Sequence, residues 1–171
     1  MRVAVFASLI AASLWTIVSH ADISGKATVI DGDTLKINGV RIRLHGIDAP
    51  ESTQLCKHPS GEKWRCGQHA SMALADRIRG GPIRCNDMGQ DRYNRVIAIC
   101  FKGSMDLNRW LVTTGWAAAY RRYSTDYIDA EMAARTRNVG VWSGEFVMPW
   151  DWRRGRRMDE TPSGLTPPFQ D

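Results

Sequence analysis

The stretch TLKINGVRIRLHGIDAPE, residues 34–51, has the pattern of two strands joined by a tight turn. On both sides of Asn38-Gly39, apolar residues alternate with polar ones, which is the period of a half-buried strand. Asn-Gly is a strong signal for a two-residue hairpin turn. The stretch therefore predicts a β-hairpin, followed by a polar turn that contains two acids and a proline.

The register of this hairpin brings charged residues together. Pairing across the two-residue turn places Thr34 opposite Arg43, with Asp33 beside them at the open end. Asp48 and Glu51 follow the second strand. We therefore expect the acids before the hairpin and those after it to meet at one end, next to an arginine.

Four acidic residues form this predicted cluster: Asp31, Asp33, Asp48 and Glu51. Carboxylates this close repel one another unless a cation or protons lie among them. Oxygen ligands without histidine or thiol suit a hard cation such as Ca²⁺ or Mg²⁺. The alternative is that Asp31-Gly32-Asp33 only forms a turn, since aspartate and glycine are common turn residues.

Arginine suits phosphate because its planar guanidinium can donate two parallel hydrogen bonds. Arg43, on the polar face of its strand, is one candidate, and Arg95, at the start of a later predicted strand, is a second. The alternative for each is a surface salt bridge. From the polar-face assignment we expect truncation of either side chain to cost little stability.

The first 21 residues resemble a signal peptide. Arg2 precedes an uncharged, mostly apolar run over residues 3–18, and Ser19-His20-Ala21 fits a small-x-small cleavage site. An uncleaved membrane anchor is the alternative. Removal of residues 1–21 takes away Arg2 and leaves 22 basic against 18 acidic residues, a net charge of +4 that suits a polyanionic partner without establishing one. We expect a secreted or periplasmic protein that does not contact the membrane after cleavage.

The remaining periodicity predicts an α+β domain over residues 22–147. Strands are predicted at 26–30, 34–37, 40–44, 82–86 and 95–101, and helices at about 62–79, from 104 to about 115, and from 124 or 125 to 138. Five short strands with three α-helices fit an antiparallel β-barrel of the OB type. Residues 148–171 are basic, contain proline and lack a period, so we expect a tail that is disordered at its end.

The even cysteine count fits two disulfides in an exported protein. Spacing alone leaves three connectivities open, and a zinc site is disfavoured because no C-x-x-C pair occurs. We predict Cys85–Cys100, because these residues lie on two strands joined by a hairpin-like loop. We also predict Cys56–Cys66, which would tether the loop after Glu51 to the following helix.

Three separated motifs together resemble the thermonuclease, or staphylococcal-nuclease-like, family: VIDGDTLKI at 29–37, RIRLHGIDAPE at 41–51 and DRYNRVIAIC at 91–100. They occur in the order that this family has, and the resemblance runs from about Ala27 to Trp142. Asn94 stands where a glycine is common, and asparagine tolerates the positive φ that this position can require.

The resemblance implies a role for each matching residue. Metal binding would come from Asp33, Asp48 and the backbone carbonyl of Ala49, with Ca²⁺ as the cofactor. Arg43 and Arg95 would bind the scissile phosphate, and Glu51 would be the general base. Further substrate contacts would come from Arg92, Tyr93, Tyr120 and Tyr123, of which the last two could equally be core or rim aromatics.

The resemblance implies an endonuclease that hydrolyses phosphodiester bonds of DNA and RNA and leaves 3′-phosphate ends. We expect a monomer. One alternative is a non-catalytic OB-type module that binds nucleic acid or another polyanion. A second is an envelope protein whose tail binds a partner. The basic run RRGRR at 153–157 could follow a nucleic-acid backbone or belong to a solvated tail.

Overall fold

The computed structural model describes residues 22–158. The predicted leader, residues 1–21, and the end of the predicted tail, residues 159–171, lie outside the described residues. Within this range the strands are β1 Ile23–Gly25, β2 Ala27–Asp31, β3 Thr34–Ile37, β4 Val40–Leu44, β5 Ile47–Asp48, β6 Cys56–Lys57, β7 Lys63–Trp64, β8 Ile83–Gln90, β9 Val96–Lys102, β10 Met105–Asp106 and β11 Ala118–Ala119. The helices are α1 Cys66–Ile78, α2 Leu107–Thr113, α3 Ile128–Thr136 and α4 Pro149–Arg153, and a 3₁₀ turn covers Gly140–Ser143.

The largest sheet of the described chain has the strand order β1-β8-β9-β4-β3-β2, with β10 added to β9. The prediction of an α+β fold is confirmed, but the purely antiparallel sheet is wrong, because β4 and β9 pair in parallel. Parallel neighbours need a long crossover, and the chain between them supplies it with α1 and β8. Within residues 22–158, hydrogen bonds do not close this sheet into a barrel, although its two edge strands, β1 and β2, are separated along the chain by Lys26 alone.

The predicted hairpin is confirmed in its register. In β3 and β4, Thr34 pairs with Arg43 and Ile37 pairs with Val40. Asn38 and Gly39 both have positive φ, 49° and 86°, as the tight turn requires. The inward residues of the hairpin enter the main core together with residues of α1, α2 and α3: Leu35, Ile37, Ile42, Leu44, Leu74, Leu107, Leu111 and Ala130. The polar face of β4 is thereby fixed outward.

Both predicted disulfides are present, and the described chain has no free cysteine. Cys85 and Cys100 face each other directly across β8 and β9. Cys56–Cys66 joins β6 to the first residue of α1. Because β6 and β7 form a small hairpin that extends to Trp64, α1 begins at Cys66 and not near Glu62 as predicted.

The predicted tail begins with ordered structure. Pro149–Arg153 form α4, with proline at the first turn, where its missing N–H is not needed. Five residues are too few to show a helical period in the sequence. Tertiary contacts hold this segment instead: the buried Gln54 side chain donates a hydrogen bond of 2.6 Å to the carbonyl of Val147.

Candidate active site

A largely buried arginine, Arg43, lies between two aspartates at the open end of the hairpin. Asp33 comes from the turn between β2 and β3, Arg43 from β4 and Asp48 from β5. The Arg43 guanidinium forms ion pairs with Asp33 through Nη1 and with Asp48 Oδ1 through Nη2, the latter at 2.7 Å. Arg43 Nη2 also donates to the carbonyl of Ile47 at 3.3 Å. The predicted meeting of the acids before and after the hairpin is observed.

Burial and neighbouring charge shift the pKa of this group of residues. Asp48 is fully buried, and desolvation followed by the negative charge of Asp33 raises its pKa. Desolvation and the charge of Asp33 also raise the pKa of Asp31 to about 6. Burial opposes the charged form of Arg43, but Asp33 and Asp48 outweigh it and raise the pKa of the guanidinium. The cluster therefore holds an excess of carboxylate that an added cation would stabilise.

The exposure of Arg43 overturns one expectation. Its side chain is 15% exposed, and it neutralises two carboxylates that are almost inaccessible to water. Removal of one partner from such a group leaves buried charge without compensation, which is strongly destabilising. The accessible position on which a small stability cost was expected is not observed for Arg43, because the turns that carry the acids cover this part of β4. We therefore predict that truncation of Arg43 is destabilising.

The candidate metal ligands fit a hard cation in chemical kind, since all the donors are oxygen. Asp33 and Ala49 lie together, with the Ala49 N–H donating to Asp33 Oδ2 at 2.7 Å. In residues 22–158, however, no three or more histidine, cysteine or acidic side chains are arranged so that they could hold a metal ion. At Asp48, arginines bond both carboxylate oxygens.

The second arginine on Asp48 is Arg153, the last residue of α4. Its Nη2 donates to Asp48 Oδ2 at 2.7 Å, and its Nη1 donates to Asp48 Oδ1 at 3.1 Å and to Glu51 Oε1 at 2.6 Å. Partial burial lowers the pKa of Arg153, but Asp48 and Glu51 outweigh it and raise that pKa. Sequence reasoning missed this contact. The sequence signal for Arg153 was the basic run RRGRR at 153–157. This run shows where positive charge lies in the sequence, but it does not show that α4 packs over the carboxylates.

Glu51 lies on a short loop that other residues hold in place. The Glu51 carbonyl accepts from the Gln54 N–H at 2.7 Å, and the Glu51 N–H donates to Gln54 Oε1 at 3.2 Å. Its own carboxylate is 38% exposed and bonded to Arg153. The structure therefore places the predicted base next to Asp48 and within reach of water.

Arg95 lies on the same outer face as Arg43 but has a different partner. Arg43 on β4 pairs with Ile97 on the parallel strand β9. Arg95 lies two residues before Ile97, so its side chain points to the same face of the sheet as those of Ile97 and Arg43. Its guanidinium binds Asp91 at 2.7 Å. Although burial raises the pKa of Asp91, hydrogen bonds from Arg95 and from the Tyr93 N–H lower it overall. The two predicted phosphate arginines thus share a face without sharing a carboxylate.

Arg92 and Tyr93 lie on the turn that precedes β9. Arg92 donates to the Tyr93 hydroxyl at 2.7 Å, and both Arg92 and Arg95 lie over the Tyr93 ring. Tyr93 is well exposed. Asn94 has a φ of 58°, so the turn is kept with asparagine in the place of a glycine.

Tyr120 and Tyr123 form an aromatic surface together with α4. The Tyr120 ring stacks on Trp150 with centroids 5.3 Å apart, and Tyr123 meets Tyr120 edge to face at 4.9 Å. A shallow hollow of about 260 Å³ adjoins them, lined by Ala119, Tyr120, Arg121, Arg122, Trp150 and Arg154. The tyrosines are neither core residues nor isolated, and sequence reasoning missed Trp150.

Taken together, these features define an α+β protein of the OB type whose polar site lies at one end of the sheet. Within residues 22–158 no helix is long and apolar enough to cross a bilayer.

Comparison with known proteins identifies the family. Residues 41–144 match the sequence model described as Staphylococcal nuclease homologue. Succinoglycan biosynthesis protein ExoI of Rhizobium meliloti (strain 1021) is 38% identical over 129 residues, 72% of this chain and 66% of that protein, so the chain spans just under two thirds of this relative. A micrococcal nuclease of Shigella flexneri is 31% identical over 170 residues, 86% of this chain and 92% of that protein. An uncharacterized endonuclease of Haemophilus influenzae is 30% identical over 139 residues, 77% of this chain and 72% of that protein.

The chain therefore belongs to the staphylococcal nuclease family. The resemblance seen in the three motifs is confirmed, and relatives named as nucleases support nuclease activity.

Proposed function

We propose that this protein is an exported, calcium-dependent endonuclease that hydrolyses phosphodiester bonds of DNA and RNA and leaves 3′-phosphate ends. The observation that carries the proposal is the Arg43 guanidinium held between Asp33 and Asp48, with the Glu51 carboxylate on the adjoining loop. The two disulfides of the described chain support an oxidising compartment, either the periplasm or the medium. We expect the protein to act as a monomer.

The two arginines on the outer face bind the phosphodiester in this proposal. Ion pairs with Asp33 and Asp48 hold the Arg43 guanidinium in place, and an ion pair with Asp91 holds that of Arg95. Both groups are therefore already positioned before the substrate binds. Negative charge builds on the phosphoryl oxygens as the nucleophile attacks. Fixed donors aimed at that charge stabilise the transition state more than the ground state.

Glu51 accepts the proton of the attacking water. Its partial exposure lets water reach the carboxylate, and its loop is fixed through Gln54. A positioned carboxylate that removes a proton during attack contributes about 10²–10⁴ in rate.

The cation is held by the carboxylates of Asp33 and Asp48 and by the Ala49 carbonyl. When bound, it supplies positive charge that offsets the charge of the phosphoryl group and of the acids around it. The donor chemistry and the raised pKa values of Asp31 and Asp48 support a hard cation at this place.

The polynucleotide on either side of the scissile bond contacts the exposed rim. Arg92 and Tyr93 contact a neighbouring phosphate, and Tyr120 and Tyr123 contact bases. The exposed ring of Tyr93 and the stacked Tyr120–Trp150 pair support this, because aromatic faces accept any base. The hollow beside Tyr120 and Trp150 is shallow and open, which suits a nuclease that accepts both DNA and RNA.

The test is cleavage by the purified protein of short single-stranded DNA, duplex DNA and RNA, with calcium and with excess chelator. We expect cleavage with calcium, loss of cleavage in chelator, and 3′-phosphate ends on the products. Binding without cleavage under all these conditions would support the non-catalytic module instead. Full activity in chelator would overturn the cation assignment.

A matched pair of variants tests the proposed base. Glu51→Gln keeps the shape but removes the base, so single-turnover cleavage should fall about 10²–10⁴-fold with nucleic-acid binding retained. Glu145→Gln makes the same change at an exposed glutamate paired with Lys57 and should cleave like the unmodified protein. Equal cleavage by both variants would remove Glu51 from the mechanism.

A further inference from the structure

Arg153 contacts two residues that have different proposed roles, Asp48 and Glu51. Its fork bonds both oxygens of Asp48, the candidate cation ligand, and its Nη1 also bonds Glu51, the candidate base. A guanidinium that bonds a carboxylate through two nitrogens is a strong, oriented partner. A cation that binds Asp48 Oδ2 therefore has to replace this guanidinium.

Arg153 can leave its position more readily than Arg43. Arg43 is rooted in the middle of the sheet and is 15% exposed, whereas Arg153 is 39% exposed and ends a helix of five residues. The stem of an arginine side chain has several freely rotating bonds, so the guanidinium can swing out while Trp150 of α4 stays stacked on Tyr120. Arg43 stays with Asp48 in either arrangement.

We propose that Arg153 is a cationic latch of the active site, which occupies Asp48 in the metal-free protein and is displaced by the divalent cation. The proposal rests on the function proposed above, because it takes Asp48 as a cation ligand. Displacement releases Glu51 in the same movement, since one guanidinium holds both carboxylates. The Glu51 carboxylate then loses its 2.6 Å hydrogen bond to Arg153 Nη1 and is open to water. Cation binding and activation of the base are thereby coupled.

A second role for Arg153 predicts the opposite result. If the guanidinium only orients Asp48 for the cation, its removal loosens a ligand and weakens cation binding. If the latch is correct, its removal abolishes a competitor and strengthens cation binding. The direction of the change in calcium affinity separates the two roles.

Calcium binding is measured by titration calorimetry on the purified protein after removal of metals, without nucleic acid. We expect Arg153→Ala to bind calcium about tenfold more tightly, because a hydrogen bond to a charged group contributes roughly one order of magnitude to an equilibrium constant. The control is Arg156→Ala, which removes the same charge from the same segment but breaks an ion pair with Asp151. The control should bind calcium like the unmodified protein, which excludes a simple effect of net charge.

Equal or weaker calcium binding by Arg153→Ala overturns the latch, as does the absence of calcium binding in both proteins. Thermal unfolding in chelator checks that the variant folds. Arg153→Lys retains the charge but loses the fork, so its calcium affinity should lie between those of the other two proteins. If Arg153→Ala does not fold, the lysine variant decides, and an affinity equal to that of the unmodified protein overturns the proposal.

The same proteins distinguish failure of the latch from failure of the proposed nuclease. If the protein never cleaves nucleic acid but its calcium affinity rises on loss of Arg153, the latch proposal stands and the proposed nuclease function is wrong. If the protein cleaves nucleic acid but its calcium affinity does not rise on loss of Arg153, the proposed nuclease function stands and the latch proposal is wrong. In cleavage assays the latch also predicts that Arg153→Ala reaches half-maximal rate at a lower calcium concentration.

Discussion

Asp48 is held by arginines from two regions of the molecule that differ in construction. Arg43 lies five residues away on the neighbouring strand and is fixed in the sheet, whereas Arg153 lies 105 residues away on a short helix. The first is 15% exposed and the second 39% exposed. The contact of Asp48 with Arg43, on the side of the site that β4 forms (the strand side), is therefore rigid and central. Its contact with Arg153, on the side that α4 forms (the helix side), is open and replaceable.

This difference shows that an ion pair acquires its role from the element that carries it. On the strand side, loss of the arginine affects both folding and the chemistry proposed for the site. On the helix side, the proposed latch predicts that loss of the arginine changes which cation occupies the carboxylates. Four experiments test whether the two arginines differ in this way, and removal of Arg43 has the largest expected effect.

Removal of the strand-side arginine should affect both activity and stability. For Arg43→Ala we expect single-turnover cleavage to fall about 10²–10³-fold. We expect the free energy of unfolding to fall by about 3–5 kcal/mol, because Asp33 stays buried without its cationic partner and Asp48 keeps only Arg153. Urea denaturation measures the second effect. Arg41→Ala, at an exposed position of the same strand, is the control and should change neither quantity strongly. A fully stable Arg43→Ala protein would contradict the rigid role.

Arg95 should separate activity from stability. Its partner Asp91 is local and partly accessible, so Arg95→Ala should lower the free energy of unfolding by no more than about 1 kcal/mol. Cleavage should nevertheless fall about 10²–10³-fold. The measurement is the same pair of assays as for Arg43→Ala. If Arg95→Ala cleaves at a rate close to that of the unmodified protein, Arg95 does not bind the scissile phosphate, and only Arg43 keeps that proposed role.

Gln54 should link the two regions. Its buried amide donates to the Val147 carbonyl and accepts from the Glu51 N–H. Gln54→Ala leaves both groups without that partner and should lower the free energy of unfolding by about 1–3 kcal/mol. Hydrogen exchange of residues 147–154 should rise as well, because the start of α4 loses its tie. Gln68→Ala, at an exposed position on α1, is the control.

The smallest effect is expected in acid. Because hydrogen bonds from Arg95 and Tyr93 lower the pKa of Asp91, its contribution to stability is complete above its unfolded pKa of about 3.9. That contribution is lost as the pH falls through the lower, folded value. Asp91→Asn should therefore lose less stability than the unmodified protein between about pH 5 and pH 2. Thermal unfolding across this range measures it, and parallel curves would show that Asp91 is not linked to folding.

Local patterns in the sequence predicted the strand side of the site correctly. The Asn38-Gly39 turn fixed the hairpin register, and the register placed Arg43 beside Asp33. The parallel pairing of β4 and β9 was missed, because a strand pattern shows which face is buried but not which strand lies next to it. The metal and substrate roles of the predicted residues remain predictions.

The helix side could not be predicted from the same kind of information. A five-residue helix has no visible period, and α4 is held by contacts with Gln54, Tyr120 and Asp48 that are distant in sequence. The Cys56–Cys66 pair was predicted, but the small hairpin of β6 and β7 beside it was not, so the start of α1 was placed four residues too early.

The late position of Arg153 in the chain has a consequence for biosynthesis. A protein is made from its amino end, so Asp33, Arg43, Asp48 and Glu51 are all synthesised long before Arg153. Hairpins form within microseconds, whereas a contact across 105 residues must wait for its partner and costs more loop-closure entropy. If the chain folds as it emerges, it passes through a stage in which these carboxylates have one arginine. At that stage the proposed cation would meet no competitor. A protein chain that acquires its ion during synthesis would never need to open the latch, whereas one that meets calcium after folding would.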